Sequence, residues 1–372
     1  MTKYLLGLIS LCLMCSCSDT APGETPPIDP PTPTPTVTIT KPEFVFGFQG
    51  QSKYSYCPSA LKQADGTVHL YFCGNPENLI MVDNIFHIKI NPDGTQTAAK
   101  SVLQPGVPGS WDDHHTCDPS VIEGNFTWKN TTYKYAMFFL SNMYGVYYNE
   151  IGVAFSNDLD TDSWVKYPQQ IVKKTWSSEG DQEIGQPSVV SLDGKGKLLL
   201  TYTVGDIGGT RIVWTEADFS NMDTYSISTP QTIVQTGLKA IDNQSRDYTC
   251  NSEFAIDKDA DKIVMIRPVQ PMPNDYPNYL NSSLEIDYMN LSDFTNQRGN
   301  WTPIYRITPD DTGYPRNHNA TLLRDNFGHL QDWEEPEFYF TVSKAAPDVQ
   351  PSGSSHAEWT YHIWKSKVVK SK

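Results

Sequence analysis

Cys57-Pro-Ser-Ala-Leu, Asp118-Pro-Ser-Val-Ile, Gln186-Pro-Ser-Val-Val, Asn251-Ser-Glu-Phe-Ala and Asn319-Ala-Thr-Leu-Leu are five versions of one phrase. Their first residues stand 61, 68, 65 and 68 positions apart, and self-similarity at a fixed period marks a repeat architecture. The residues after each phrase repeat as well. A turn comes first, such as Asp65-Gly66, Asp193-Gly194 or Asn326-Phe-Gly328, and then an apolar strand: Val68-His-Leu-Tyr-Phe, Tyr135-Ala-Met-Phe-Phe, Leu198-Leu-Leu-Thr-Tyr, Ile263-Val-Met-Ile and Phe338-Tyr-Phe-Thr-Val. A third strand is readable in Ile151-Gly-Val-Ala-Phe-Ser and Arg211-Ile-Val-Trp-Thr. Three to four strands per repeat of about 65 residues make one propeller blade. An isolated blade cannot bury both faces, so the sequence predicts an all-β chain with a single five-bladed β-propeller over residues 38–372. No long amphipathic helix interrupts it. The last strand, Trp359-Thr-Tyr-His-Ile-Trp364, ends the chain, so closure is expected to borrow Glu43-Phe-Val-Phe-Gly-Phe48 as the outer strand of the final blade.

The segment before residue 38 has a different character. Lys3 and the short apolar run Tyr4 to Met14 read as an export signal, too short to span a bilayer. The Met14-Cys15-Ser16-Cys17 that comes next resembles a bacterial lipobox, which implies cleavage after residue 16 and lipidation of Cys17. Cys15 is the alternative acceptor and an ordinary secretory signal the alternative reading. Residues 17–37 are a Pro/Thr-rich tether, stiff and extended. The expected location is the bacterial cell envelope, with the membrane contacted through the lipid. A net charge of −15 excludes nucleic acid as a partner, because phosphate binding needs a basic face. Beyond the signal the cysteines are Cys57, Cys73, Cys117 and Cys250. Their spacing matches no zinc or haem pattern, and they are read as buried free thiols. No phosphate loop, nucleophile elbow or dinucleotide-binding glycine pattern is present. Gly205-Asp-Ile-Gly-Gly209 is a turn between strands.

In a propeller the start of each inner strand faces the axial funnel, and side chains two apart share a face. The first positions are Cys57, Asp118, Gln186, Asn251 and Asn319; the third positions are Ser59, Ser120, Ser188, Glu253 and Thr321. Glu253 breaks a series of small hydroxyls, so it is either functional or a hydrogen-bond hub between blades. Asp118 is the one acid among the first positions. The loop before it, Trp111-Asp-Asp-His-His-Thr116, carries Asp113, His114 and His115. Equivalent entry loops supply Asp181-Gln-Glu183, Arg246-Asp247 and Arg316-Asn-His318. Glycoside cleavage needs a proton donor for the leaving oxygen and a second carboxylate, about 6.5–9.5 Å away for inversion. Asp118 and Glu253 form the leading pair, with Asp113 or Glu183 as a third acid. Arg246, Arg316, His115, Gln186 and Asn319 are candidates for holding substrate; Trp111, Trp176 and Tyr314 are candidates for stacking on sugar faces. The bland alternatives are salt bridges for the arginines and core packing for the aromatics. Adjacent His114 and His115 point oppositely on an extended chain and do not ligate one metal together.

Asp118-Pro-Ser-Val, Ile151-Gly-Val-Ala-Phe-Ser-Asn-Asp-Leu, Trp164 and His318-Asn319-Ala-Thr together resemble the propeller glycosidases of family 43 and its relatives in families 32, 62, 68, 117 and 130. The resemblance covers roughly residues 45–365. It implies a five-bladed fold and three carboxylates around the axis, usually acting with inversion. It also implies a calcium or water cluster near a fifth-blade histidine, here His318. Two departures stand out: Cys57 occupies the position of the family's base, and the Glu-Gly-Pro acid motif is missing. The function expected is a glycosidase acting on a plant or microbial oligo- or polysaccharide such as arabinan or xylan. The alternative is a surface glycan-binding propeller without catalysis.

Overall fold

A computed structural model describes residues 36–48, 53–76, 82–146, 148–174, 184–206, 209–275, 277–345 and 359–371. Residues 36–372 form one compact unit. The first two strands, β1 (Val37–Ile39) and β2 (Glu43–Phe46), are followed by five antiparallel meanders. The first contains β3 (Tyr54–Lys62), β4 (Val68–Asn75), β5 (Asn84–Ile90) and β6 (Lys100–Leu103). The second contains β7 (His115–Trp128), β8 (Thr131–Asn142), β9 (Glu150–Ser156) and β10 (Val165–Lys166). The third contains β11 (Ile184–Ser191), β12 (Lys197–Asp206), β13 (Gly209–Asp218), β14 (Ser226–Ile227) and β15 (Gln231–Thr232). The fourth contains β16 (Glu253–Asp257), β17 (Lys262–Pro268), β18 (Leu284–Asn290) and β19 (Thr302–Ile307). The fifth contains β20 (Arg316–Leu322), β21 (Glu337–Ala345) and β22 (Trp359–Lys370). Two short helices, α1 (Leu291–Thr295) and α2 (Pro309–Thr312), lie in the links around β19.

The first strands of the meanders close a ring: β3 packs on β7, β7 on β11, β11 on β16, β16 on β20, and β20 on β3. Apolar cores fill the spaces between neighbours. Ile122, Phe138 and Phe155 meet Val189, Leu200 and Phe219; Val190 and Trp214 meet Phe254 and Met265. Ala255 and Ile286 meet Leu322 and Phe338, and Tyr339 and Ile363 meet Ala60 and Leu70. The strand β4 is buried along its whole length, which is why its sequence is a continuous apolar run without alternation. As expected from counting repeats, β2 pairs antiparallel with β22, Glu43 opposite Lys365, and β1 extends the same edge. The start of the described chain thus supplies the outer strand of its last meander.

The third-position series proves to be the seam of the ring. Ser59 Oγ accepts the amide of Val121 at 3.4 Å, Ser120 Oγ that of Val189 at 3.2 Å, and Ser188 Oγ that of Phe254 at 3.0 Å. Glu253 continues the pattern, its Oε2 accepting the amide of Leu322 at 2.9 Å. Its other oxygen lies 2.8 Å from Arg324 Nη2, and the Arg324 side chain is fully buried. The same guanidinium donates to the carbonyls of Val189 and Phe254, both at 3.0 Å. The turn after β20 then binds every other meander through its backbone. Arg324 O accepts from Lys62 N, Asn326 O from Glu123 N, Phe327 O from Ser191 N, and Gly328 O from Ile256 N. Gly328 holds φ +79°, and a Cβ there would come 3.1 Å from Val189 O. This turn is a plug across the ring, and Glu253 anchors its buried cation.

Removing one partner of a buried ion pair leaves the other charge without compensation. Arg324→Met is therefore expected to destabilise the protein by about 3–5 kcal/mol in urea unfolding, and Arg324→Met with Glu253→Gln to recover part of that loss. Equal stability of Arg324→Met and the parent would refute the plug.

Candidate active site

Five non-glycine residues share an unusual backbone: Cys57 (φ 47°), Asp118 (φ 49°), Gln186 (φ 41°), Asn251 (φ 45°) and Asn319 (φ 40°). They are the first positions of the repeated phrase, one per meander. Left-handed φ is uncommon for side-chain-bearing residues and persists only where the surroundings enforce it. The pairing register jumps across four of them, between Tyr56 and Ser59, Cys117 and Ser120, Gly185 and Ser188, and His318 and Ala320. Each is a bulge that re-aims one side chain at the head of an inner strand. The enforcing bonds come from the neighbouring meander: Asp118 N–H donates to Cys73 Sγ at 2.9 Å, and Asn251 N–H to Thr203 Oγ1 at 2.8 Å.

Around Asp118 the polar groups are dense. Cys73 and Cys117 form a disulfide, tying β4 to the start of β7; Cys57 and Cys250 are buried free thiols. The reading of four free thiols is thus corrected for one pair, because adjacent inner and middle strands bring residues 44 apart in sequence into contact. Burial first, and the Asp118 carboxylate second, push the Cys57 thiol well above its usual range, so it stays protonated and hydrogen-bonds to Asp118. Asp118 Oδ1 lies 3.3 Å from Cys117 Sγ. Asp83, completely buried on the loop before β5, joins this cluster. Tyr56 Oη donates to its Oδ2, and its own amide donates to His115 Nδ1 at 3.4 Å. Its Oδ1 accepts no hydrogen bond from the described residues. His115, lowered by burial, is therefore a neutral imidazole.

The remaining expected residues divide sharply. Asp118 is half-buried at the funnel floor, flanked in the ring by the thiol of Cys57 and the amide of Gln186. The buried Gln186 Oε1 has no partner among the described residues. Glu253 spends both oxygens on Arg324 and Leu322, and its assignment as a catalytic acid is replaced by that of a structural hub. Asp113 is engaged as a loop brace: Tyr144 N–H at 2.7 Å and Gly109 N–H at 2.6 Å donate to its two oxygens and lower its pKa. Arg316 is buried and donates to the carbonyls of Asp275 and Pro277; it secures a loop and does not reach for substrate. Arg246 is exposed and touches Gln235 at 3.4 Å. Trp111 stacks on Phe139 and Tyr314 packs edge-on against Trp364, so both belong to the core. Among the described residues the large exposed aromatics are instead Phe44, Tyr144 (76% exposed), Tyr248 and Tyr279. Tyr144 carries no sequence signal beyond its place in a loop.

His318 is buried, with Nδ1 2.6 Å from Asn319 Oδ1 and Nε2 on Ser343 Oγ. A calcium ion needs six or more oxygen ligands. The oxygens described around His318 are already bonded to the ring, so these residues do not fit the expected ion. Glu183, Trp176 and Cys17 lie outside the described residues.

No protein-family model and no curated protein sequence matches the chain. Among solved structures, it is similar to Zg3597, a family 117 glycoside hydrolase of Zobellia galactanivorans, with a TM-score of 0.57 at 10% identity over 90% of each chain. A thermostable family-43 glycoside hydrolase superposes with a TM-score of 0.54 at 12% identity, over 84% of this chain and 89% of that one. An N-acetylgalactosamine deacetylase from F. plautii, in complex with blood group B trisaccharide, gives 0.56 at 12% identity, over 89% and 95%. Likeness at this level establishes a shared β-propeller fold.

The buried imidazoles make stability depend on pH. Burial holds His318 down to about 4 and His87 down to about 3, against about 6.5 in an unfolded chain. Between those values the unfolded state binds more protons, so stability is full above about pH 6.5 and is lost as pH falls. His69 and His115, also lowered by burial, act in the same direction. Asp287, raised by burial to about 7, opposes them over the same window. Glu253 and Asp247, also raised by burial, oppose them too; the expected net change, set by His318 and His87, is a loss of stability from pH 7 to pH 5. Urea midpoints at pH 7 and pH 5 measure it, and greater stability at pH 5 would contradict the assignment of buried neutral histidines.

Proposed function

We propose that the five meanders are the blades of a five-bladed propeller, and that the protein is a glycoside hydrolase whose active bowl is formed by the five left-handed strand heads. The observation that carries this reading is Asp118, a half-exposed carboxylate held by an enforced backbone at the floor of a ring of thiol, amide and carboxyl side chains. A polyhydroxylated ligand suits such a bowl, because sugar hydroxyls donate to Asp118 and to the unpartnered Gln186 Oε1. Exposed Tyr144, Tyr248 and Tyr279 offer ring faces for stacking. Cleavage requires a second carboxyl. Asp83 is too deeply buried to touch a ligand, and Glu253 is committed to Arg324. Glu183, which precedes β11 in the sequence, takes that place in the proposal, one carboxyl protonating the leaving oxygen while the other draws a proton from water. An N-terminal lipid on Cys17 and the Pro/Thr tether would hold the bowl at the cell envelope, facing plant or microbial glycans.

A second reading has its own support. Cys57 and Gln186 stand at the ring positions on either side of Asp118, and neither supplies a titrating carboxyl. A bowl of this composition binds glycan without cleaving it.

The two readings separate on a panel of arabinan, xylan, galactan and fructan oligosaccharides, assayed for both cleavage and binding. Hydrolysis by the parent protein, lost by at least about 100-fold in Asp118→Asn and in Glu183→Gln, supports the hydrolase. Binding without cleavage, weakened by Asp118→Asn, supports the second reading. Cleavage unaffected by both changes would overturn the site.

A further inference from the structure

Three sulfurs and one carboxylate converge where the first two meanders meet. Cys57 Sγ, Cys73 Sγ, Cys117 Sγ and one oxygen of Asp118 all lie within 4.8 Å of one another. Asp118 Oδ1 is 3.3 Å from Cys117 Sγ and 3.7 Å from Cys73 Sγ. All three cysteines are buried and Asp118 is half-buried. A tetrahedral zinc ion, with Zn–S near ~2.3 Å and Zn–O near ~2.1 Å, sets its ligands roughly 3.5–3.8 Å apart. The 3.7 Å from Asp118 Oδ1 to Cys73 Sγ meets that requirement, and the 3.3 Å to Cys117 Sγ falls just short of it. Cys73 and Cys117 are held at bonding distance by the disulfide and must part to admit a metal. We propose that Cys57, Cys73, Cys117 and Asp118 form a site for one zinc-class divalent cation, closed while the disulfide is made and opened when it is reduced.

Three further features fit a thiolate site. The left-handed backbones of Cys57 and Asp118 aim two of the four ligands from separate strands at one point. The Asp118 amide already donates to Cys73 Sγ at 2.9 Å, the kind of N–H to sulfur bond that supports a metal-bound thiolate. The charges acting on Cys57 are those of Asp118 and Asp83, both negative, so a cation is drawn to the cluster. Thiolate donors favour zinc-class ions over calcium and magnesium. The site shares Asp118 with the proposed bowl, so metal and glycan would compete for that carboxylate.

Opening the site consumes one equivalent of a water-soluble phosphine. The phosphine takes the oxygen of one water to become the phosphine oxide, and the two sulfurs take the two hydrogens as the S–S bond breaks. Metal entry then releases the three thiol protons to solvent.

Cobalt(II) is the probe, added to the full chain carrying Cys12→Ser, Cys15→Ser and Cys17→Ser so that upstream thiols do not contribute. After phosphine reduction, one cobalt per chain is expected, with thiolate-to-metal charge-transfer absorption that zinc abolishes; the unreduced protein should give none. Cys57→Ser leaves the disulfide intact and should weaken cobalt binding at least about tenfold. Near-UV circular dichroism monitors the fold throughout. The proposal fails if the reduced protein shows no charge-transfer band, or if Cys57→Ser binds as tightly as the parent. It fails equally if cobalt is bound only by a chain that has lost its near-UV signal and does not regain it.

Discussion

A single guanidinium sits where the inner strands converge. Arg324 is fully buried and bonds to the third meander through Val189 O, to the fourth through Phe254 O, and to the carboxylate of Glu253. A buried cation is tolerated only when its partners are in place, so these strands must arrive together for the plug to form. The turn that carries Arg324 adds at least one backbone hydrogen bond to each of the other four meanders. One end of the ring is thereby sealed. The five strand heads are left free to be shaped by function at the other end.

Those heads combine one backbone with varied side chains. The left-handed backbone recurs at all five positions, yet the side chains are thiol, carboxyl, amide, amide and amide. That backbone is a property of the architecture; the side chain it presents belongs to the site. Asp118 gives the floor its acid character, and the Cys73–Cys117 disulfide and the protonated Cys57 thiol surround it with sulfur. The same fold occurs in glycoside hydrolases and in a sugar deacetylase. The reaction is decided by the side chains within it.

Much of the architecture was legible in the sequence because repetition is a global signal. The five phrases located the inner strands, and the lack of an outer strand after Trp364 pointed to residues 43–48 as its source. The site was less legible, since side-chain partners depend on contacts between meanders. Glu253 stood out correctly as the odd member of its series, but its alternative reading as a hub prevailed because Arg324 lies 71 positions downstream. Asp83 escaped notice because nothing near it in sequence marks it; Tyr56 and His115 reach it from two other strands. The tryptophans drew attention as sugar platforms through residue type alone. The space between meanders claimed Trp111, and the surface was left to Tyr144.

In the proposed hydrolase, ligand meets Asp118 in the bowl while Glu253 stays with Arg324. A crystal structure of the protein with a bound arabino- or xylo-oligosaccharide tests it most directly. A sugar hydroxyl or glycosidic oxygen is expected within hydrogen-bonding distance of the Asp118 carboxylate, with the Glu253–Arg324 pair unbroken. A sugar seated away from Asp118, or one bonded to a Glu253 that has released Arg324, would contradict it.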